Sequence, residues 1–454
     1  MHKTVDSICA VATPAGRGGV SIVRVSGPAS HSLCTRIAGS CPPPGQSRLA
    51  AFHNRAGELI DQGLVLYFQG PHSFTGEDVC EFHTHGSPVI TDLLLQELVA
   101  CGARLAEPGE FSRRAFLNDK IDLAQAEAIA DLISSASVTA ARFALRSLQG
   151  EFSRRVDTLV ESLTLLRVYI EAALDFPEEE VDFLSEGAID SRLEQVLAEL
   201  DATLAQARQG SLVREGIQVA IAGEPNAGKS TLLNRLSGED AAIVTDIPGT
   251  TRDILRQTIH LDGLPVHLLD TAGLRDSTDP VEREGIRRAR KAVDEADLIL
   301  LLLDIRQVDT LQTQALWQEL NSDPATAKRL LVVLNKCDSA GLPPGIRSVL
   351  GHDALVISAL TDQGLDALRT ELKRRAGFDT QDEGGFIARQ RHLLALRSAR
   401  AHVEQACSIM RSSRAGELIA EELRLAQEDL GEITGKVSSD ALLGRIFGSF
   451  CIGK

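Results

Sequence analysis

The segment Gly223–Ser230, with the sequence GEPNAGKS, limits the possible folds of this chain more than any other stretch. It matches the phosphate-binding pattern G-x-x-x-x-G-K-[ST], in which glycines allow backbone N–H groups to turn towards phosphates. The apolar run Ile217–Ala222 before it is typical of a strand, and Thr231–Leu236 after it is typical of a helix. In this strand–loop–helix setting, Lys229 is predicted to reach the terminal phosphates and Ser230 to ligate Mg²⁺.

Two later segments predict the rest of a triphosphate and magnesium site. The strand-like run Leu264–Leu269 leads into Asp270–Gly273, which offers a carboxylate that can meet Mg²⁺ through water and a glycine N–H that can face the γ-phosphate. Upstream, the polar stretch Gly249–Asp253 lies where a switch segment is expected. The hydroxyl of Thr251 in this stretch could complete the metal shell.

A third group of motifs indicates the base. Two fully apolar runs, Leu298–Leu303 and Leu330–Leu334, have the length and composition of buried parallel strands. The second run ends at Asn335–Asp338, where Asp338 can accept hydrogen bonds from the guanine N1–H and amino groups, an arrangement that adenine cannot match. The stem of Lys336 is expected to pack on the base.

A last strand at Val356–Leu360 is expected to supply a backbone contact to the base oxygen. The order of these five elements matches the Ras-like GTPases, so the sequence predicts a Ras-like α/β G domain with a mainly parallel sheet that binds GTP and GDP. The residues predicted to bind the nucleotide are Asn226, Ala227, Gly228, Lys229, Ser230, Thr231, Thr245, Asp246, Ile247, Pro248, Gly249, Thr250, Thr251, Asp270, Thr271, Ala272, Gly273, Asn335, Lys336, Cys337, Asp338, Ser358, Ala359 and Leu360.

Hydrolysis must differ from that of many Ras-like enzymes, because Leu274 stands where they carry a water-orienting glutamine. Leucine cannot hydrogen-bond water, so another polar group must serve. Glu282 is a candidate, although from its position it could equally be an exposed helix carboxylate. No arginine finger is obvious. Arg252 and Arg275 in the switch regions could supply the charge, as could a monovalent cation held by the side-chain oxygen of Asn226.

The sequence on either side of the G domain predicts two further domains. Residues 1–118 contain four strand-like runs and a helical run, which favours an α+β domain. Apolar residues at helical spacing run through 119–213 and return in 378–454, where they predict helices over Phe386–Met410 and Ala415–Thr434. We therefore expect one discontinuous all-α helical domain, interrupted by the inserted G domain at 214–377.

Charged side chains inside the predicted strands of the first domain leave alternatives open. Arg24 and Glu81 form either a solvated face or the lining of a small-ligand pocket. His83 and His85 are two apart on one strand, which could suggest a metal site, but no third ligand is nearby in sequence.

Composition narrows the functional classes. The net charge of −16 argues against a broadly basic surface that coats nucleic acid. No apolar run approaches the roughly 18 to 20 residues of a membrane span, and the N-terminus lacks a signal-peptide pattern. The eight cysteines are scattered without zinc spacing, so reduced thiols in a cytoplasmic protein are expected.

With these motifs assembled, the chain resembles the MnmE/TrmE family of bacterial tRNA modification GTPases over essentially its whole length. Besides the GTPase motifs, four segments carry the resemblance: Pro14–Val20, Phe74–Asp78, Gly109–Lys120 and the terminal Cys451–Lys454, CIGK. The resemblance implies an N-terminal domain that dimerises and binds a formyltetrahydrofolate, followed by the discontinuous helical domain and the inserted G domain.

The resemblance also implies ligands for individual residues. It matches Arg24, Glu81, Lys120 and Lys454 to positions that hold 5-formyltetrahydrofolate or a related folate. It assigns Mg²⁺ to Ser230 and Thr251, and K⁺ to Asn226, Thr245, Ile247 and Thr250. Glu282 matches the water-orienting glutamate, which favours its catalytic role beside Lys229 and Thr251. Glu224 stands where relatives often have arginine. Its side chain is expected to point outward from the loop, so we expect little consequence of this difference.

The process implied by the family is the addition of a carboxymethylaminomethyl group at C5 of the wobble uridine of certain tRNAs. A homodimer would act with an FAD-dependent partner of the MnmG/GidA type, in a heterotetramer. Cys451 is either a nucleophile or a positional or regulatory residue. Three other functions stay open: a ribosome-assembly GTPase, a folate-dependent one-carbon transferase with a regulatory G domain, and a non-hydrolysing scaffold.

Overall fold

The computed structural model describes residues 6–175, 188–237, 256–270, 290–349, 351–379, 384–437 and 439–453. Its contacts divide the chain into two compact units. The first unit comprises residues 1–130, 147–197 and 398–454, and the second comprises residues 131–146 and 198–397. Within the described ranges, no helix combines the length and the apolar character that crossing a bilayer requires.

The first unit contains a six-stranded sheet. Its strands are β1 Ile8–Val11, β2 Gly18–Ser26, β3 Ser47–His53, β4 Leu59–Phe68, β5 Val79–Gly86 and β6 Arg104–Leu105, and its early helices are α1 Ser30–Ala38, α2 Pro88–Ala100 and α3 Glu110–Leu117. The strand order is β3-β4-β5-β2-β1-β6, with antiparallel neighbours except for the parallel pair β1 and β6. Alternate residues of the strands, such as Val23 and Phe82, form a core with Leu33 of α1 and Leu94 of α2.

Helices from both ends of the sequence pack together in this unit. Of the helices up to the G domain, α4 Leu123–Ser134 and α6 Glu151–Asp175 lie mainly in this unit, and α7 Ala188–Glu215 begins in it and continues into the second unit, whereas α5 Val138–Leu148 lies mainly in the second unit. Arg167 of α6 donates to the Gln427 side-chain oxygen at 2.6 Å, and the Gln427 amide donates to Thr164 of α6 at 2.6 Å. Gln427 belongs to the helix Gly416–Thr434, which follows the G domain in sequence. The helical domain is therefore discontinuous, as the sequence predicts.

A seven-stranded sheet forms the centre of the second unit. Its elements are β7 Ile217–Ala222, α8 Lys229–Ser237, β8 Arg256–Leu261, β9 Leu264–Asp270, β10 Leu298–Asp304, α9 Leu311–Asn321, α10 Pro324–Arg329, β11 Leu330–Asn335, α11 Cys337–Ala340, β12 Gly345–Val349, β13 His352–Val356 and α12 Leu365–Ala376. In the order β12-β13-β11-β10-β7-β9-β8, only the edge strands β12 and β8 pair antiparallel. Every residue of β10 is buried, because the strand has a parallel neighbour on each side and an apolar core on each face.

The remaining helices are α13 Gln390–Ser412, α14 Gly416–Thr434 and α15 Asp440–Gly448. The predicted start of α13 at Phe386 is wrong by four residues, and the reason lies in tertiary packing. The chain at Phe386 passes so close to Gly210 of α7 that a Cβ at Gly210 would lie 1.8 Å from the Phe386 carbonyl oxygen. Phe386–Ala388 is buried there without helical hydrogen bonds, so a specific close contact overrides the helical pattern.

Candidate functional site

The phosphate-binding loop joins β7 to α8, and two of its glycines are required by close approach. A Cβ at Gly223, where φ is 155°, would lie 2.2 Å from the Leu302 carbonyl oxygen. A Cβ at Gly228, where φ is 102°, would lie 2.3 Å from the side-chain nitrogen of Asn335. The glycines therefore let the loop lie against β10 and the end of β11, at the carboxyl ends of the parallel strands, where open α/β sheets bind ligands.

The predicted phosphate ligands meet at the first turn of α8. Lys229 begins this helix, and its Nζ donates to the carbonyl oxygens of Gly223 at 2.7 Å and Glu224 at 3.2 Å. Ser230 and Thr231 follow it and are exposed. Because the first N–H groups of a helix have no intrahelical acceptor, this turn presents donors and a positive dipole end. The arrangement suits an anion such as a phosphate.

The base-recognition motif is tied to this loop by a buried side chain. Asn335, at the end of β11, is 2% exposed. Its amide nitrogen donates to the Ala227 carbonyl at 2.8 Å, and its amide oxygen accepts from the Ala359 N–H at 2.9 Å. The structure thus brings together the loop, Asn335 and the Ser358–Leu360 segment, which are far apart in sequence.

Asp338 stands beside them as a hydrogen-bond acceptor. Its Oδ1 accepts from the Ser358 hydroxyl at 2.7 Å, and its Oδ2 accepts from the Ser339 hydroxyl at 3.2 Å. The bond from Ser358, followed by smaller contributions that include Ser339, lowers the pKa of the Asp338 carboxyl. The group is therefore ionised at neutral pH and can only accept, as recognition of the guanine edge requires.

Asp304 is part of the site, although the motifs alone do not identify it. It ends β10 with its side chain 5% exposed, and its Oδ2 accepts from Lys336 Nζ at 2.9 Å. Lys336 also donates to the Asn226 carbonyl at 2.5 Å. A bidentate pair with Arg306, together with Lys336, lowers the pKa of Asp304 far below its usual range. The sequence does contain one signal for Asp304, because this aspartate directly follows six apolar residues of a predicted buried strand.

Asn226 and Glu224 occupy the variable positions of the loop. Asn226 is exposed and has a left-handed backbone, with φ at 65°. The prediction for Glu224 was wrong, because its side chain is partly buried and accepts from the Thr313 hydroxyl at 3.3 Å. Glu224 therefore connects the loop to α9 rather than pointing freely outward.

Several predicted residues lie outside the described ranges. They are Thr245, Asp246, Ile247, Pro248, Gly249, Thr250, Thr251, Arg252, Thr271, Ala272, Gly273, Leu274, Arg275, Glu282 and Lys454. The backbone of Asp270 ends β9, next to β7. The described part of the site is thus the phosphate loop and the base-recognition side.

Two of the predicted folate residues, Arg24 and Glu81, lie on the β2–β5 pair of the first unit. Arg24 and Glu81 are direct cross-strand partners, and their side chains form a partly buried ion pair at 2.8 Å. The Arg24 guanidinium carbon also lies 5.6 Å from the ring centroid of Phe74 and 5.7 Å from that of Phe111. Such a half-desolvated cation between aromatic rings differs from a freely solvated strand face.

Neighbouring residues bring the other folate prediction close to this pair. Asn118 donates to the Thr75 carbonyl at 2.7 Å, and a Cβ at Gly76 would meet the Lys120 side chain at 3.1 Å. The segment that contains Phe74 therefore connects Lys120 to Arg24. The exposed Lys120 side chain leaves its ammonium group accessible.

The two histidines and the C-terminal segment have other partners. His83 lies 3.4 Å from Glu81, whereas His85 pairs with Asp61 at 2.8 Å, so the two histidines do not share one partner. Cys451 is exposed, and its carbonyl accepts from the Gly109 N–H at 3.4 Å.

Comparison with protein families decides the assignment. Residues 7–120 match the family described as GTP-binding protein TrmE N-terminus, and residues 123–451 match the MnmE helical domain. The chain belongs to the MnmE/TrmE family. Family membership, together with the phosphate loop and the base-recognition contacts, makes it a GTP hydrolase of tRNA modification that uses Mg²⁺ and a guanine nucleotide.

Solved structures of other GTP-binding proteins align only in part. The chain is 26% identical to an Aquifex aeolicus Era variant bound to GDP·AlF4⁻, over 41% of this chain and 66% of that one, with a TM-score of 0.29. It is 25% identical to the G domain of the T. maritima FeoB iron transporter, over 35% and 98%, with a TM-score of 0.27. The FeoB G domain from Methanococcus jannaschii is 21% identical to the chain, over 36% of this chain and 98% of that one, with a TM-score of 0.25. At such TM-scores, these likenesses add nothing to the assignment.

Proposed function

We propose that this chain is a potassium-stimulated GTPase that, with an FAD-dependent partner, adds a carboxymethylaminomethyl group at C5 of the wobble uridine (position 34) of certain tRNAs. The observation that supports the potassium dependence is the position of Asn226 in the phosphate loop. Its backbone oxygen is held by Lys336 at 2.5 Å, while its side chain is exposed at the turn of the phosphate loop. The side-chain amide oxygen of Asn226, exposed at the phosphate loop, is the proposed ligand of the monovalent cation, with Thr245, Ile247 and Thr250 as the other proposed ligands.

The roles proposed for the catalytic residues follow from their chemistry. Lys229 and the N–H groups of the first turn of α8 orient the phosphates and offset their charge. Glu282 replaces the missing glutamine by accepting a hydrogen bond from the attacking water, since Leu274 cannot. Arg252 is a second candidate for offsetting charge at the phosphates.

The residues present also fit the metal ions. Ser230 and Thr251 offer hydroxyl oxygens, which are ligands that Mg²⁺ prefers, and Ser230 is exposed in the first turn of α8. When bound, Mg²⁺ and K⁺ offset negative charge that develops on the phosphates, which is the task of an arginine finger in related enzymes.

Replacement of Asn226 tests the potassium proposal. GTP turnover is measured at equal ionic strength in KCl and NaCl for the wild type, Asn226→Ala and the control Asn234→Ala. Asn234 is an exposed residue of α8 outside the proposed ligand set. We expect GTP turnover of the wild type and of the control to be faster in KCl than in NaCl. Asn226→Ala should turn over GTP equally slowly in both salts while it still binds GDP. Equal rates of the wild type in both salts would refute the proposal.

We propose that the region around Arg24, Glu81, Lys120 and Lys454 binds 5-formyltetrahydrofolate. The supporting observation is the partly buried Arg24–Glu81 pair, flanked by Phe74 and connected to Lys120. An ion pair can hold polar groups of a folate, while an aromatic ring can stack on its flat pterin. When bound, the folate would supply a one-carbon unit or shape the dimer.

Calorimetric titration with 5-formyltetrahydrofolate tests this site. Binding should weaken about tenfold or more in Lys120→Ala and Arg24→Ala, as expected for the loss of a charge-assisted hydrogen bond. The control Arg36→Ala removes an exposed arginine of α1 and should bind normally. Unchanged binding in Lys120→Ala and Arg24→Ala would contradict the site. Lys120 is exposed, so its variant is expected to fold even if Arg24→Ala does not.

The remaining proposals concern assembly. We propose domain limits of 1–118, 119–213, 214–377 and 378–454, a homodimer through the first domain, and a heterotetramer with the flavoprotein partner. Mass analysis of wobble nucleosides from a strain that lacks the gene tests the tRNA reaction. The carboxymethylaminomethyl group should disappear and return with the wild-type gene. An intact modification in that strain would favour the ribosome-assembly or one-carbon alternatives.

A further inference from the structure

A cavity of about 620 Å³ lies in the second unit, at the amino-terminal ends of two parallel strands. Its lining includes Ile217, which begins β7, and Leu298, which begins β10. Residues at the end of α7, the end of α12 and the start of α13 form the rest of the lining. The phosphate loop follows the other end of β7, and a strand of this length spans roughly 20 Å. The cavity is therefore separate from the nucleotide site.

The side of the cavity formed by the sheet is apolar. Ile217 and Leu298 belong to the core of the sheet, and Leu212 of α7 and Ala376 of α12 pack against that core. Leu393 of α13, which is 4% exposed, is a further apolar lining residue. An occupant with an apolar body would thus remove apolar surface from water at this wall, which is favourable.

Hydrogen bonds of the chain itself hold the walls of the cavity together. The amide nitrogen of Gln209 in α7 donates to the Gly377 carbonyl at 2.6 Å, and its amide oxygen accepts from the Asp379 N–H at 3.0 Å. Arg375 of α12 donates to the Leu330 carbonyl at the start of β11 at 2.6 Å. Helix α7, helix α12 and the sheet are therefore fixed around the cavity, as is usual for a preformed ligand pocket.

The charged side chains of the lining differ in their partners. Its two carboxylates are engaged, because Glu215 accepts from Arg214 at 2.8 Å and Asp297 accepts from a backbone N–H at 2.8 Å. Arg208 and Arg397 are exposed, and within the described ranges neither has a hydrogen-bond or ion-pair partner. The charged groups of the lining that are left for a ligand are therefore guanidinium groups.

We propose that this cavity binds a small amphipathic organic anion. Its apolar body lies against Leu212, Leu298 and Leu393, and its acidic group pairs with the guanidinium groups of Arg208 and Arg397. A guanidinium group is weakly hydrated and presents several N–H donors, so it suits an acidic group at the edge of an apolar surface. The proposal is independent of the nucleotide reaction, since none of these residues belongs to the proposed GTP site.

Simpler occupants would use only half of the lining. An inorganic anion would pair with the two arginines but would leave the apolar wall in contact with water. A neutral apolar molecule would cover that wall and leave both guanidinium groups without an acidic partner. The amphipathic anion satisfies both parts, and this difference can be measured with matched probes.

Fluorescence titration with anilinonaphthalene sulfonate, an amphipathic anion that brightens in apolar surroundings, tests the site. The full chain is first saturated with GDP and 5-formyltetrahydrofolate, so that the dye does not occupy the nucleotide site or the proposed folate site. We expect saturable binding that weakens about fivefold or more in Arg208→Gln and in Arg397→Gln, because each loses a charge-assisted hydrogen bond. The control Arg36→Gln removes an exposed arginine of α1 and should bind the dye like the wild type.

Displacement of the dye separates the amphipathic anion from the simpler occupants. Octanoate, which joins an apolar tail to a carboxylate, should displace the dye, whereas inorganic phosphate at equal ionic strength should not. Binding of the uncharged dye N-phenylnaphthylamine should be the same in the wild type and in both arginine variants.

Four results would overturn the proposal. The wild type does not bind the sulfonate dye, both arginine variants bind it like the wild type, or phosphate displaces it as well as octanoate does. The fourth is equal weakening of the charged and the uncharged dye in the arginine variants, because the shape of the cavity rather than its charge would then be the cause.

Discussion

Asn335 connects three sequence motifs through one side chain. It bonds the Ala227 carbonyl of the phosphate loop and the Ala359 N–H of the segment after β13, and its nitrogen occupies the space that a Cβ at Gly228 would need. Other side chains are poorly tolerated in place of such a buried amide, because each lost hydrogen bond leaves a buried polar group without a partner. We therefore infer that Asn335 shapes the site even where it does not touch the nucleotide.

Replacing Asn335 with alanine should weaken both binding and folding. The Ala227 carbonyl and the Ala359 N–H would each lose a partner, at a cost of about 1–3 kcal/mol for each buried group. We expect a lower affinity for GDP and a lower free energy of unfolding, measured by the fluorescence of Trp317, the single tryptophan, which is buried in the core of the same unit. The exposed variant Asn234→Ala should change neither quantity. An Asn335→Ala protein with unaltered affinity for GDP would show that these two hydrogen bonds are not needed for nucleotide binding.

Asp338→Asn should change the base preference of the site. The carboxylate accepts only, whereas an amide presents one acceptor and one donor, and the donor opposes the guanine amino group. Xanthine carries an oxygen at that position, so the variant should bind GDP about tenfold or more weakly and bind XDP more tightly. Dissociation constants for both nucleotides give the ratio, with Asp338→Ala as the variant that should bind neither well. An unchanged ratio in Asp338→Asn would argue against direct base recognition by this residue.

For the individual elements, the local sequence pattern predicts the presence of a buried strand better than it predicts where a helix or strand begins and ends. β10 and β11 are evident from their apolar runs, because strands buried on both faces need no alternation. β3 is not evident, since only Ala50 and Phe52 of its seven residues are buried on an edge strand. The pairing of Asp304 with Lys336 is also hidden, because it depends on two strands being neighbours in the sheet.

Helix α12 carries an ion-pair group whose effect depends on pH. Glu371 accepts from Arg374 and Arg375, and the bond from Arg374 is the main cause that lowers its pKa to about 2. Arg375 in turn donates to the Leu330 carbonyl at the start of β11. The ionised Glu371 therefore helps to hold the arginine that links the helix to the sheet.

The sign of this pH effect follows from the lowered pKa. The stabilisation is complete above the ordinary pKa of 4.5 and is lost as the pH falls towards about 2. Glu371→Gln should thus lower the free energy of unfolding reported by Trp317 at pH 7, by less than about 1 kcal/mol for a partly exposed pair. The difference from wild type should shrink at pH 3. Asp366→Asn, an exposed neighbour on the same helix, should show a smaller change at pH 7. A difference that grows in acid would contradict this account.

For the whole molecule, the order of motifs predicts the nucleotide half of the site, because phosphate and base recognition are encoded in short contiguous segments. The pairing of Arg24 with Glu81 rests on the register of β2 against β5, which no local pattern contains. Contacts between distant segments are thus where the structure adds most.

The two units have separate apolar cores, and only the second contains the phosphate loop and the base-recognition side chains. A ligand that binds only folded protein stabilises it according to its concentration, so GDP at 100 times its dissociation constant should add about 2.7 kcal/mol to unfolding of the second unit. Urea unfolding followed by Trp317 should show this increase with GDP and none with ADP. Hydrogen exchange in β2 and β5 of the first unit should stay unchanged, because within the described ranges no hydrogen bond of the phosphate loop or the base-recognition residues involves these two strands. Equal protection of both units by GDP would show that they unfold as one cooperative body.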